Sequence, residues 1–213
     1  SEGLRDFHAR LSSVLDALDL ESEVLYVDDG SRDDTWSIMC ALRDSDPRVS
    51  TLRLSRNFGK ELALTAGLDH VDADAAVVID SDLQDPPELI PTFVAHWREG
   101  YGVVYGTRAS RAGETGFKKM TASAFYRVMG HLSSTPIPRD TGDFRLLSRR
   151  ALVALKSLRE RQRFMKGLFT WVGFRQLAVV YHRDPRHAGQ TKWNYWRLWN
   201  FAIEGITSFS NAP

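Results

Sequence analysis

The chain has 213 residues, of which 43% are hydrophobic and 26% charged, enough to build one globular core and too apolar for a chain disordered throughout. Its single cysteine, Cys40, excludes an intramolecular disulfide framework and a cysteine-based zinc site, and no apolar run reaches the roughly 18 residues of a membrane span. The net charge of +1 conceals an asymmetry: residues 1–100 carry 9 Lys/Arg against 21 Asp/Glu, and residues 101–213 carry 19 against 6. Two mutually attracting faces would explain this; so would an acidic, metal-binding half beside a basic half that meets phosphates or an anionic membrane.

Taken in order, residues 4–18 have helical apolar spacing. Residues 23–27 form a short apolar strand that leaves into Asp28-Asp29-Gly30-Ser31, and a helix follows over 35–44 with Asp33 or Asp34 as its cap. Val49–Leu54 reads as a strand, 60–70 as a helix and Ala75–Ile79 as a buried strand ending in Asp80-Ser81-Asp82-Leu83-Gln84-Asp85. Pro86-Pro87 opens a helix to Arg98, and Tyr101–Gly106 is a further strand. Residues 107–116 read as a polar loop, 117–132 as a helix, 143–147 as a short strand, 149–158 as a helix and 174–181 as a strand.

This alternation predicts an α/β domain, Rossmann-like, with a mostly parallel sheet flanked by helices. Ligands of such sheets bind beyond the carboxyl ends of the strands, where both acidic clusters fall. A sheet of this kind normally opens with a strand, whereas Ser1-Glu2 begins a helix, so the expectation is an opening strand that lies before Ser1.

Asp80, Asp82 and Gln84 alternate, so their side chains point one way if the segment is extended. Two carboxylates and an amide oxygen suit Mg2+ or Mn2+, which keep further positions for water and a diphosphate. Asp28 and Asp29 suit either nucleoside contacts or a turn and helix cap. Arg108, Arg111, Lys118 and Lys119 flank one loop, and Arg183, Arg186 and Lys192 flank another containing Gly189; they suit diphosphate oxygens or a solvated basic face. Asp143, beside Arg145 in a basic region, is either a structural ion-pair partner or a catalytic carboxylate. Dinucleotide, P-loop, zinc-protease and serine-hydrolase motifs are missing, and no basic helix interleaves base-reading groups, so nucleic acid is not an expected partner.

Together these stretches resemble the family 2 glycosyltransferases of GT-A fold, in the branch of polyprenyl-phosphate hexose synthases: dolichol-phosphate mannose synthases and bactoprenol glucosyltransferases. The resemblance rests on VDDGSRDDT, SRNFGKELALTAGLDH, VVIDSDLQDPPELI, VYGTRASR, DTGDFRLLSRR, FMKGLFTWVGF and RHAGQTKWNYWRLWNFAIEGITSFS, in family order across nearly the whole chain. It implies a metal-dependent inverting transfer of a hexose from a nucleotide sugar, UDP-glucose or GDP-mannose, to a polyprenyl phosphate. Asp28, Asp29, Lys60 and Asp80 would face the nucleotide. Asp80, Asp82 and Gln84 would hold the metal. Arg108, Arg111 and Lys118 would meet the acceptor phosphate, Arg186 and Lys192 the donor diphosphate, and Asp143 matches the catalytic carboxylate. The alternatives are a glycan-extending transferase with a sugar hydroxyl acceptor and a non-catalytic nucleotide-sugar-binding module.

Residues 1–192 then form the catalytic domain and 193–213 a C-terminal amphipathic juxtamembrane helix. Tyr195, Leu198, Trp199, Ala202, Ile206 and Phe209 make its apolar face, with Arg197, Asn200, Glu204 and Ser208 opposite. The expectation is a membrane-associated enzyme with its active site on the cytoplasmic face, and a homo-oligomer if the exposed aromatic face of this helix meets a second copy.

Overall fold

The first predicted helix runs over Glu2–Asp16 (α1) in a computed structural model that describes residues 2–108, 141–158 and 165–181. Leu4, Phe7 and Leu11 recur at helical spacing and are buried, so α1 lays one stripe into the core. The following elements are β1 (Val24–Asp28), α2 (Thr35–Ser45), β2 (Val49–Arg53), α3 (Lys60–His70) and β3 (Ala75–Val78). The helix expected from Pro87 begins as a single 3-10 turn, Pro87–Leu89, and becomes α4 only at Ile90–Arg98. Then come β4 (Val103–Arg108), β5 (Thr141–Ser148), α5 (Arg149–Ser157), α6 (Met165–Trp171) and β6 (Gln176–Tyr181). Strand β4 therefore takes in residues 107 and 108, which sequence reading gave to the loop.

The described strands form two sheets. β1 and β2 pair in parallel, Val24 opposite Val49. The other sheet has the order β3-β5-β4-β6. β5 is antiparallel to both neighbours while β4 and β6 are parallel, so β3, β4 and β6 share one direction and β5 alone opposes it.

β5 lies between two strands and is buried from Gly142 to Leu147. Its side chains divide by parity. Phe144 and Leu146 join a core with α1, β1, α2 and α4, whereas Leu147 joins a second core with α5 and α6. Asp143 and Arg145 share the parity of Leu147. Among the described residues no helix is long and apolar enough to cross a membrane.

Candidate active site

The reversed strand creates the site. In the β3·β5 ladder Ala75 faces Ser148 and Val78 faces Arg145. Continued two residues past the end of β3, this register sets Asp80 opposite Asp143. Two carboxylates directly across a ladder repel. The repulsion is met by Lys60, the first residue of α3, whose Nζ lies 2.7 Å from Asp80 Oδ2 and 2.5 Å from Asp143 Oδ2. Burial pulls the Lys60 ammonium down, but the charges and hydrogen bonds of Asp143 and Asp80 outweigh it and hold the group above its ordinary range.

Lys60 is placed by the end of β1. Asp29 Oδ1 accepts the Phe58 N–H at 2.7 Å and Oδ2 accepts the Gly59 N–H at 2.9 Å. Those amides lead into α3, so Asp29 caps the helix that begins with Lys60. Its neighbour Asp28 is buried; Oδ1 accepts the Ser31 N–H at 2.9 Å and Oδ2 lies 3.2 Å from Arg53 Nε. After them comes Gly30, at φ 67°, where a Cβ would fall 2.5 Å from the backbone carbon of Arg56. Only glycine permits both that conformation and that approach. Beside this turn is a pocket of about 460 Å3 lined by Gly30, Arg32, Arg53, Ser55, Arg56 and Asn57. The contacts of Asp28 and Asp29 are thus those of the turn and helix cap, and neither carboxylate lines the pocket beside them.

In the acidic loop, Asp82 Oδ1 accepts the Gln84 N–H at 3.1 Å. Residues 81–85 are turn and bend, with Leu83 at φ 62°, and not the extended segment that the alternate spacing assumed; within this turn Asp82 and Gln84 are half-buried while Leu83 and Asp85 are buried. Among the described residues no three His, Cys, Asp or Glu form a metal cluster. Asp80 and Asp82 with the Gln84 amide are a smaller set of hard oxygens, two carboxylates and one amide. That set fits a cation that draws its other ligands from water and substrate phosphate.

Arg145 is buried and donates to the carbonyls of Gly142 at 2.8 Å and Asp143 at 3.3 Å, with its guanidinium 3.8 Å from the Phe169 ring centroid. Burial lowers it to about 10, against the opposing charge of Asp143. It therefore stiffens the strand at Asp143 through the backbone. Sequence reading paired these two as charges and missed the contacts to the main chain. It also missed Glu61, whose Oε2 accepts the Met165 N–H at 3.0 Å and caps α6, and the Asp85–Tyr181 hydrogen bond. The helix pattern of 60–70 places Glu61 beside Lys60, but nothing local in the sequence points to a partner 104 residues away.

Arg108 closes β4, and its side chain lies outside the described residues, as do Arg111, Lys118, Arg186, Lys192 and the helix expected over 193–210. The site brings together Lys60, Asp80 and Asp143, with Asp82 and Gln84 on the adjoining loop.

Comparison with known proteins bears on the family and the fold. The sequence profile described as Glycosyl transferase family 2 matches residues 6–155. An uncharacterized glycosyltransferase of Synechocystis sp. is 52% identical over 212 residues, 100% of this chain and 67% of that protein. A prophage bactoprenol glucosyl transferase homolog of Escherichia coli is 44% identical over 100% of this chain and 69% of that protein. The chain thus spans about two thirds of the length of these relatives. Among solved structures, a mannosyltransferase from Pyrobaculum calidifontis, in complex with GDP-Man and Mn2+, superposes with a TM-score of 0.57 at 17% identity, covering 92% of this chain and 56% of that one. That likeness concerns the fold, which is the GT-A-like fold of glycosyltransferases.

Proposed function

This chain belongs to glycosyl transferase family 2, and we propose on that premise that it moves a hexose from a nucleotide sugar to a polyprenyl phosphate, with inversion at the anomeric carbon. The observation that carries the reading is the junction of Lys60 with Asp80 and Asp143 at the strand ends. It sets a buried carboxylate beside the acidic loop suited to a metal-bound diphosphate. The lipid acceptor is favoured over a sugar hydroxyl because relatives at 44–48% identity are named bactoprenol glucosyl transferases.

In the transfer, an acceptor phosphate oxygen forms a bond to the anomeric carbon. The bond from that carbon to the donor diphosphate breaks, and its electron pair leaves with the nucleotide. Positive charge grows on the sugar and negative charge on the leaving group, so fixed charges of opposite sign beside each are the main expected contribution. Asp82 and Gln84, with Asp80, would hold Mg2+ or Mn2+; such a cation supplies charge stabilisation to the departing diphosphate. Asp143 would face the positive charge that grows on the sugar. A phosphate monoester has its second pKa near ~6, so the acceptor is already largely ionised at neutral pH. Asp143 therefore serves as an orienting and charge-stabilising group, with no proton to remove. Lys60 bridges Asp80 and Asp143 and offsets their mutual repulsion.

By the family resemblance, Arg108, Arg111 and Lys118 would meet the acceptor phosphate, and Arg186 and Lys192 the donor diphosphate. Residues 193–210 would rest in the membrane interface and bring the cleft to the lipid. UDP-glucose is the preferred donor, since the named relatives are glucosyl transferases. The test is a panel of UDP-glucose and GDP-mannose against a polyprenyl phosphate and a sugar-hydroxyl acceptor, using the full-length protein with Mn2+. A polyprenyl-phosphate hexose supports the reading. Sugar transfer to the hydroxyl acceptor alone, or to neither, overturns it.

A further inference from the structure

The loop that carries Asp82 and Gln84 is held by the residues between and after them. Leu83 has φ 62°, a left-handed conformation that a branched, bulky residue adopts only when its surroundings force it. Here its side chain is 5% exposed and packs in the core with Ile90, Phe93 and Phe144. Two residues on, Asp85 is 1% exposed and accepts a hydrogen bond from the Tyr181 hydroxyl. Buried carboxylates demand such donors.

Tyr181 ends β6, on the far side of the sheet from β3. Its ring reaches the loop by crossing Gly106 of β4, where the ladder to β5 shifts register. A Cβ on Gly106 would fall 2.7 Å from Tyr181 Cε1 and 3.4 Å from Phe144 Cδ1. The same ring meets Phe144 edge-on, at 6.1 Å and 89°, and Phe144 follows Asp143 in the chain. One run of contacts therefore ties the loop of Asp82 and Gln84 to the strand of Asp143.

We propose that Asp85 and Tyr181 are positioning residues, which hold Asp82 and Gln84 in the geometry that receives a cation and diphosphate; this rests on the transfer reading above. Neither residue touches the reacting atoms. The hydrogen bond fixes the loop on its inner side, so that its outer side arrives preformed at the site. Partners beyond the ligands themselves commonly contribute ten- to a hundredfold in metal affinity.

The experiment measures Mn2+ binding to the full-length protein by loss of the free-ion EPR signal, with UDP and with GDP, alongside the thermal midpoint. The variants are Tyr181→Phe and Asp85→Asn. Tyr181→Phe removes the donor and keeps the ring on Gly106; it should weaken Mn2+ binding by about tenfold, well below its melting temperature. Asp85→Asn keeps an acceptor for the Tyr181 hydroxyl and should lose less than about threefold. A Tyr181→Phe protein with a lower thermal midpoint but wild-type Mn2+ affinity makes the pair merely structural and overturns the inference. Asp85→Asn losing as much as Tyr181→Phe also overturns it, since the carboxylate charge would then be acting on the cation. Wild-type protein that binds Mn2+ with neither nucleotide overturns the transfer reading together with this one.

Discussion

Replacing Lys60 by Met removes the ammonium that Asp80 and Asp143 share. Their oxygens lie within roughly 5 Å of each other, because both reach one nitrogen, at 2.7 and 2.5 Å. Two unit charges at that distance repel by about 3 kcal/mol at an effective dielectric of ~20. The Lys60 side chain is 52% exposed, so solvent screens part of this, and about 1–2 kcal/mol remains. The carboxylates respond by moving apart or by sharing a proton, and either response spoils the alignment of Asp143. The expected result is a roughly five- to thirtyfold fall in kcat/KM, since about 1.4 kcal/mol is one factor of ten. Lys60→Arg, which restores the charge with a bulkier head, should recover part of the loss. The assay is initial-rate transfer over a donor series with the full-length protein. Unchanged kcat/KM in Lys60→Met would refute the electrostatic role assigned to this residue.

Further outcomes follow from the same contacts. Asp143→Asn should keep more activity than Asp143→Ala if Asp143 orients and polarises; equal losses in a single-turnover assay would instead point to proton removal. Asp29→Ala removes both acceptors at the start of α3 and should cost about 1 kcal/mol, a fall of roughly 2–4 °C in Tm by calorimetry, together with a loss of turnover through Lys60. Burial holds His8 below its ordinary value, so the unfolded chain binds the extra proton; the stability contributed by neutral His8 is complete above about pH 6.5 and is lost as pH falls below that value. His8→Gln should flatten the Tm-against-pH curve in that window. Arg48 hydrogen bonds hold Asp46 well below the usual carboxylate range, and this contribution, present above about pH 4, is lost as pH falls further.

The alternating pattern gave the helices and strands up to β4 almost residue for residue, because each element carries its own apolar period and each acidic cluster ends a strand. Asp80, Asp82 and Gln84 were legible for that reason. The reversal of β5 was not. A strand of eight residues looks the same from either direction, and its partners in β3 lie 67–73 residues before it in sequence. Yet that reversal brings Asp143, near the start of its strand, to the end of β3. The helix α6 escaped notice because seven residues hold too few turns to show a period. The capping roles of Asp29 and Glu61 and the anchoring of Asp85 likewise depend on distant backbone and hydroxyl donors. Carboxylates in a sequence announce a site; which of them face substrate and which face the fold is decided by those donors.

The central claim is that transfer occurs where Lys60, Asp80 and Asp143 meet. A crystal structure of the protein with Mn2+ and a non-transferable analogue of the sugar nucleotide tests this most directly. The account predicts an anomalous Mn2+ peak within bonding distance of Asp82 and Gln84, with the anomeric carbon facing Asp143. A peak held by other residues, or a donor whose anomeric carbon lies away from Asp143, would contradict it.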